Sequence, residues 1–301
     1  MVVTPFIQVL GALVATGVSE VSVTDNIDDE SDSLSVVCEF SSATIAQEMT
    51  VTALAGYQEG ALWPLGSYNL QSIEPENDRE RLIFTSAAFS DEMKKKRDKS
   101  YQKLTLKELV GKVAKRYGLQ VKCDMTHQLE HVDQKNESDV ALLKRFADKY
   151  NAIFNVKNST LIFLSKKSDA LPYFVINAMQ AEKWHFRQSR KFYYNSVRAK
   201  YHDPKRNKKV EIVVGKGAPE YHMEIQAKNK QEAKDLATAK LEKLQAKSRT
   251  GSVTIEGQNI IAGGKVTCVG FGKADGEYLI TRAVHKVGEK FTSTVELEWA
   301  I

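Results

Sequence analysis

With 301 residues the chain can bury a sizeable core and exceeds the usual size of one domain, so two or three domains are expected. Apolar residues at 42% and charged residues at 27% exclude a disordered or fibrous class, and a net charge of +5 gives only a weak leaning toward an anionic partner. The three cysteines, Cys38, Cys123 and Cys268, are odd in number, far apart and free of any CxxC pair, which indicates neither a disulfide framework nor a zinc site; reduced thiols in the cytoplasm are expected.

The opening MVVTPFIQVLGALVATGV is apolar, but it lacks a basic start and carries Pro5 and Gly11, so a signal peptide is not expected. No later stretch approaches the roughly 18 uncharged apolar residues of a membrane helix, and no membrane insertion is expected. Over 5–89, alternating runs such as LSVVCEF at 34–40 and RLIFT at 81–85 are broken by polar turns at 26–32 and 74–79, which predicts a β domain. The next segment, DEMKKKRDKS at 91–100, is charged with no apolar face and reads as an exposed linker.

Residues 105–165 carry two amphipathic helices and a hairpin. In the first helix Leu106, Leu109, Val110, Val113 and Ala114 share one face, and Gly118 after Tyr117 marks its end. In the second, Ser138 is the N-cap and Leu143, Phe146, Ala147 and Tyr150 form the buried stripe. The apolar runs 153–156 and 161–164 then pair as a hairpin, with Asn158 in the turn.

Strands resume after Ser168. Tyr193, Val197, Ala199 and Tyr201 share one face, with Arg198 and Lys200 on the other. A long helix over 230–247 places Ala233, Leu236, Ala237, Leu241 and Leu244 on one side, and three more strands close the chain at Trp299. The expected class is α+β, mainly β, with β domains at 1–90 and 169–301 flanking a small α/β domain at 91–168. Gly66-Ser-Tyr68 and Gly276-Glu-Tyr278 each precede a strand, a polar turn and a second strand, an internal echo that would make the two β domains related copies.

Glu137-Ser138-Asp139, then Leu142, Leu143, Phe146 and Tyr150 on a helix, then Phe154 and Val156 in a hairpin, form a string that resembles the late control protein D family of contractile-tailed phages. Val21-Ser-Val-Thr-Asp25 with Asp32-Ser-Leu34 looks like that family's first strand pair. Gly251-Ser-Val-Thr254, Gly263-Gly-Lys-Val266 and Gly276 to Arg282 with His285 look like its closing strands. The resemblance covers nearly the whole chain in order. It implies a structural baseplate hub without enzymatic activity: two tube-like antiparallel β-barrels per chain, three chains in a homotrimeric ring, and adaptation of a six-fold tail tube to a three-fold central spike. Implied partners are the spike, the tail tube or its initiator, and other baseplate proteins, in a virion tail assembled in the host cytoplasm. Type VI secretion spikes are distant relatives whose chains continue into a fused spike, and an end at Ile301 favours a hub with a separate spike.

No catalytic, cofactor-binding or metal-ligating residue is expected, and no cofactor. His127 and His131 sit four apart without an HExxH pattern and read as a loop leading into a strand. Gly270-Phe-Gly272 with Gly276 lies between strands with no helix following, so a turn is expected and not a phosphate loop. Asp25, Asp28, Asp29, Glu30 and Asp32 lack the central Gly and closing Glu of a calcium loop and read as a solvated turn.

Two other functions compete. Between Lys183 and Lys209 ten Lys or Arg residues face a single acid, Asp203, with Trp184, Phe186, Phe192, Tyr193, Tyr194 and Tyr201 interleaved, as in a nucleic-acid-binding module. Alternation favours burial of those aromatics in a barrel, with the basic residues facing water or an acidic neighbour, so nucleic acid is not the expected partner. A tail-associated peptidoglycan hydrolase would need paired carboxylates, and nothing local suggests them.

Overall fold

A computed structural model describes residues 5–10, 18–27, 31–39, 50–57, 60–86, 91–157, 159–203 and 207–300. The Asn158 turn, Asp28, Asp29 and Glu30 of the acidic cluster, and Lys205 and Arg206 of the basic stretch lie outside these residues. The protein is mainly β with a smaller helical part, as expected for its class.

The first strands are β1 (Pro5–Leu10), β2 (Val18–Asn26), β3 (Ser33–Glu39), β4 (Thr50–Tyr57), β5 (Leu62–Glu76) and β6 (Arg79–Ser86). They pair antiparallel in the order β1-β4-β5-β6-β3-β2. Alternation drives this: Val21, Val23, Leu34, Val36, Leu82 and Phe84 all point to one side and are at most 1% exposed.

The middle of the chain has a core of its own. Its elements are α1 (Asp91–Lys94), β7 (Lys96–Thr105), α2 (Leu106–Arg116), β8 (Gln120–Cys123), β9 (Gln128–Ser138), α3 (Asp139–Tyr150), β10 (Ala152–Lys157) and β11 (Thr160–Ser165). Thr105 and Glu108 form a reciprocal capping box at the start of α2, and Gly118 just past its end takes φ +66°. Ser138 caps α3 by accepting from the amide of Ala141 at 3.1 Å. The Leu and Phe stripes of both helices close over β7–β9 and the β10-β11-β8 sheet.

The linker expected over 91–100 is corrected. Met93 of α1 is 1% exposed, and β7 pairs antiparallel with β9 along its length. A two-stranded ladder leaves one face and both outer edges in water. Its lysines stay solvated while only Tyr101 and Leu104 turn inward, which hid the strand behind its charge.

The last part holds β12 (Tyr173–Asn177), β13 (Ala181–Gln188), β14 (Ser196–Asp203), β15 (Lys208–Gly215), β16 (Glu220–Glu224), α4 (Lys230–Ala246), β17 (Arg249–Glu256), β18 (Lys265–Val269), β19 (Gly276–Val287) and β20 (Phe291–Trp299). Four strands therefore follow α4 where three were expected. Strands β15-β14-β16 form a separate sheet under α4, with Val197, Ala199 and Tyr201 against Ala233, Ala237 and Leu241. Tyr193 does not share that strand face: it follows a short 3-10 turn and is exposed. Strands β18-β19-β20-β17-β13 join the first six through β2 and β19, so one twelve-stranded sheet, with β12 on β18, runs from the start of the chain to its end.

Candidate functional site

The junction between β2 and β19 is where distant parts of the chain meet. It pairs Arg282 with Asn26, Ala283 with Asp25, Val284 with Thr24, and so on to Val287 with Val21. The amide of Ile27 extends the ladder to the Thr281 carbonyl at 3.1 Å. Asp25 ties three segments together here. One carboxylate oxygen accepts from the Ala262 amide at 3.0 Å, in the loop before β18, and the other takes the ammonium of Lys157 at the end of β10. Asn155 donates to the Asn26 carbonyl at 3.3 Å, adding a second tie from β10.

The reading of Asp25 and Asp32 as a solvated turn is corrected. Asp25 lies inside β2 and is 8% exposed, and Asp32 accepts from the Asn26 amide at 2.8 Å. Burial, then the neighbouring Asp25 charge, pushes the Asp32 carboxyl up to about 6, against the opposing pull of Lys157 and the Asn26 amide. His285, on β19, is 2% exposed between Ser293 Oγ and the Ile260 carbonyl, each at 2.9 Å. Those two bonds commit both ring nitrogens to structure, and burial holds the imidazole below the ordinary histidine value.

The two halves of the large sheet repeat one another. Strand order β4-β5-β6-β3-β2 in the first matches β18-β19-β20-β17-β13 in the second, in the same chain order and all antiparallel. The rung Val23-Leu34-Phe84-Leu70 corresponds to Phe186-Gly251-Leu297-Ile280, and Val21-Val36-Leu82-Ile73 to Trp184-Val253-Val295-Ala283. Under this one alignment two irregularities coincide. Gln71 and Thr281 are each the extra residue on the fourth strand of the unit in chain order, in its ladder with the fifth, three places after Tyr68 and Tyr278. Ser19 and Glu182 are each extra on the first strand. Such bulges are specified features of a sheet, so their coincidence marks a true structural repeat. A volume exchange accompanies it: a Cβ on Gly251 would sit 2.4 Å from the Phe186 ring, so the larger Phe186 fills the space that Leu34 takes opposite Val23.

The echo seen in the sequence sits within this repeat. Gly66 and Gly276 have φ of +133° and +146°, conformations that an L side chain rarely adopts, and each precedes the buried tyrosine by two residues.

The middle block explains the diagnostic string around Asp139. Its carboxylate, fully buried at the start of α3, receives Arg116 and Tyr117 from the end of α2 and Gln134 Nε2 at 2.9 Å. Burial opposes its charge, but those hydrogen bonds and the Arg116 guanidinium outweigh it and hold the carboxyl below its usual value. Glu137 binds Arg145 with two parallel bonds of 2.9 and 2.8 Å. These ties join α2, β9 and α3 into one unit.

The remaining candidates stay apart. His127 stacks on Tyr150 at 4.2 Å and bonds Asp235 of α4 at 2.9 Å, while His131 bonds Asp133 within β9. Among the described residues no group of three or more His, Cys, Asp or Glu side chains is placed to hold a metal, and no helix is long and apolar enough to cross a membrane. Gly270 precedes, and Gly272 opens, a short 3-10 turn between β18 and β19. The basic stretch divides between two sheets: Trp184 and Phe186 lie on β13, while Tyr201 is buried under α4 with Phe192 and Tyr194 at the edge of the same core. Sequence reasoning missed the Asp25–Lys157 tie, since the two stand 132 positions apart and carry no local signal of it.

Residues 87–290 match the family described as Phage tail baseplate hub (GPD). The chain is 26% identical over 259 residues to a probable baseplate hub protein of Escherichia phage 186, covering 80% of this chain and 66% of that protein. It is 24% identical over 201 residues to a probable baseplate hub protein of Escherichia phage P2, covering 61% of this chain and 52% of that one. It thus spans just under two thirds of the first relative's length and about half of the second's. Among solved structures it is similar to a tail protein from Neisseria meningitidis, with a TM-score of 0.73 at 10% identity over 98% of this chain and 97% of that one. It is also similar to the 43 kDa tail protein of prophage MuSo2 from Shewanella oneidensis, with a TM-score of 0.70 at 12% identity over 97% of both chains. An E. coli component of the type VI secretion system matches with a TM-score of 0.62 at 9% identity over 98% of this chain and 77% of that chain. At these identities the solved structures establish a shared fold.

Proposed function

Since this chain belongs to the phage tail baseplate hub family, we propose that it acts as a structural hub in which three copies form a ring joining a six-fold tail tube to a three-fold central spike. The observation that carries this reading is the repeat of five strands within one continuous sheet. Two equivalent units per chain in a ring of three chains present six similar units to a tube and three identical chains to a spike. On this reading residues 1–90 and 169–301 form tube-like barrels around the α/β insertion at 91–168. The partners are the spike, the tube or its initiator and neighbouring baseplate proteins, and the place is the virion tail baseplate, after assembly in the host cytoplasm.

No catalytic step enters this function. The buried charges described above are each engaged in holding segments together, which supports a role resting on surfaces and symmetry. Electron-microscope class averages of the purified chain test it: rings with a central lumen and six similar lobes are expected, and compact particles without a lumen would contradict it.

A further inference from the structure

The internal junction specifies a second one that a single chain leaves open. Strand β19 is covered by β18 along its first half and by β2 along its second. Its counterpart β5 is covered by β4 along its first half, but among the described residues nothing pairs with the free edge of 72–76. Likewise β2 lies against β19, while among the described residues its counterpart β13 pairs on one side only, with β17.

Exposure follows the same division. Val21 and Val23 are 1% exposed and Ala283 is 0% exposed where β2 meets β19, whereas Trp184 and Ile73, which hold the places of Val21 and Ala283, are 53% and 42% exposed. Both apolar side chains are uncovered for want of the strand that covers their counterparts.

We infer that the free edge of β13 pairs with the second half of β5 in another copy of this chain, in the register that β2 and β19 use internally. This rests on the ring reading above and names its contact. Transferring the register places Glu74 opposite Arg187, Glu76 opposite His185, Ile73 opposite Gln188 and Pro75 opposite Phe186.

Charge supports the assignment. The β5 end offers Glu74 and Glu76, with Glu76 also 3.7 Å from Arg81, and β13 offers Lys183, His185 and Arg187. A β5 edge would meet like charge in a second β5 edge, and β13 likewise in β13, so the contact is head-to-tail and joins unlike edges. Pro75 has no N–H to donate; the charge pairs and the covering of Trp184 and Ile73 therefore carry more of the specificity than the ladder does.

Directly opposed Cα atoms in an antiparallel ladder lie within disulfide reach, which makes the register testable. In a Cys123→Ser background, where the remaining Cys38 and Cys268 are buried, Glu74→Cys and Arg187→Cys are introduced singly and together and oxidised mildly. The double variant is expected to give a covalent trimer on a non-reducing gel, each single variant only monomer, and a mixture of the two single variants a covalent dimer. A sample that has trimer mass but does not crosslink in the double variant overturns this junction and leaves the ring standing. A sample that remains monomeric overturns both.

Discussion

Tyr68 and Tyr278 hold the same position in two halves of one sheet. Each is 1% exposed, each stands opposite a valine, Val51 or Val266, and each donates its hydroxyl to a carbonyl upstream, at 2.8 Å to Leu65 and 2.7 Å to Ala274. Burial disfavours the phenolate and pushes the pKa of both phenols up, so the hydroxyls stay protonated donors at any ordinary pH. If the halves are equivalent, Tyr68→Phe and Tyr278→Phe should each cost about 1 kcal/mol by loss of one buried hydrogen bond. Urea unfolding of the two variants should show similar shifts of midpoint; a large inequality would count against mechanical equivalence.

Asp25 is expected to matter more than its place in an acidic run suggests. Asp25→Ala leaves the Lys157 ammonium and the Ala262 amide without their shared acceptor, a loss of about 3 kcal/mol for a largely buried pair. Hydrogen exchange should show the Ala262 amide losing protection. Unchanged protection there would mean that another group holds that loop.

Asp139 links α2 to α3 within the middle block. Asp139→Asn keeps the shape but removes the charge that Arg116 and Tyr117 surround, and should destabilise the block by about 3 kcal/mol. Thermal unfolding measures this, and a melting temperature within one degree of the parent would refute the role.

Asp32 gives a pH dependence of stated sign. Its folded carboxyl titrates at about 6 against an ordinary 3.8, so the folded state holds that proton more tightly than the unfolded chain. The associated stability is fully present below the unfolded value and is lost as pH rises through about 6. Asp139, held below its usual value, works the other way and loses its contribution as pH falls. The comparison is therefore between parent and Asp32→Asn: the variant should gain relative stability between pH 4 and 6, by a few degrees of melting temperature. A constant difference across that range would show that Asp32 is not perturbed.

Where the sequence was informative, the information was local. The stripes of α2 and α3, the cap at Ser138 and the hairpin of β10 and β11 are set by residues at most a few positions apart, and all are found as read. The pairing of β2 with β19 joins residues more than 250 positions apart, and alternation alone names a strand's buried face without naming its neighbour. The 91–100 segment was misread because an edge strand displays its charges and hides only Met93 before it and Tyr101 and Leu104 after. The Gly-X-Tyr echo was legible as a string. Its meaning needed the matching bulges at Gln71 and Thr281, which only a ladder reveals.

A chain with two equivalent sheet units, and unlike strand edges free among the described residues, is expected to self-associate. Native mass measurement tests that directly: a complex of three 33.7 kDa chains is predicted, persisting on dilution into the low micromolar range. A single 33.7 kDa species at every concentration, with and without a spike protein, would contradict it.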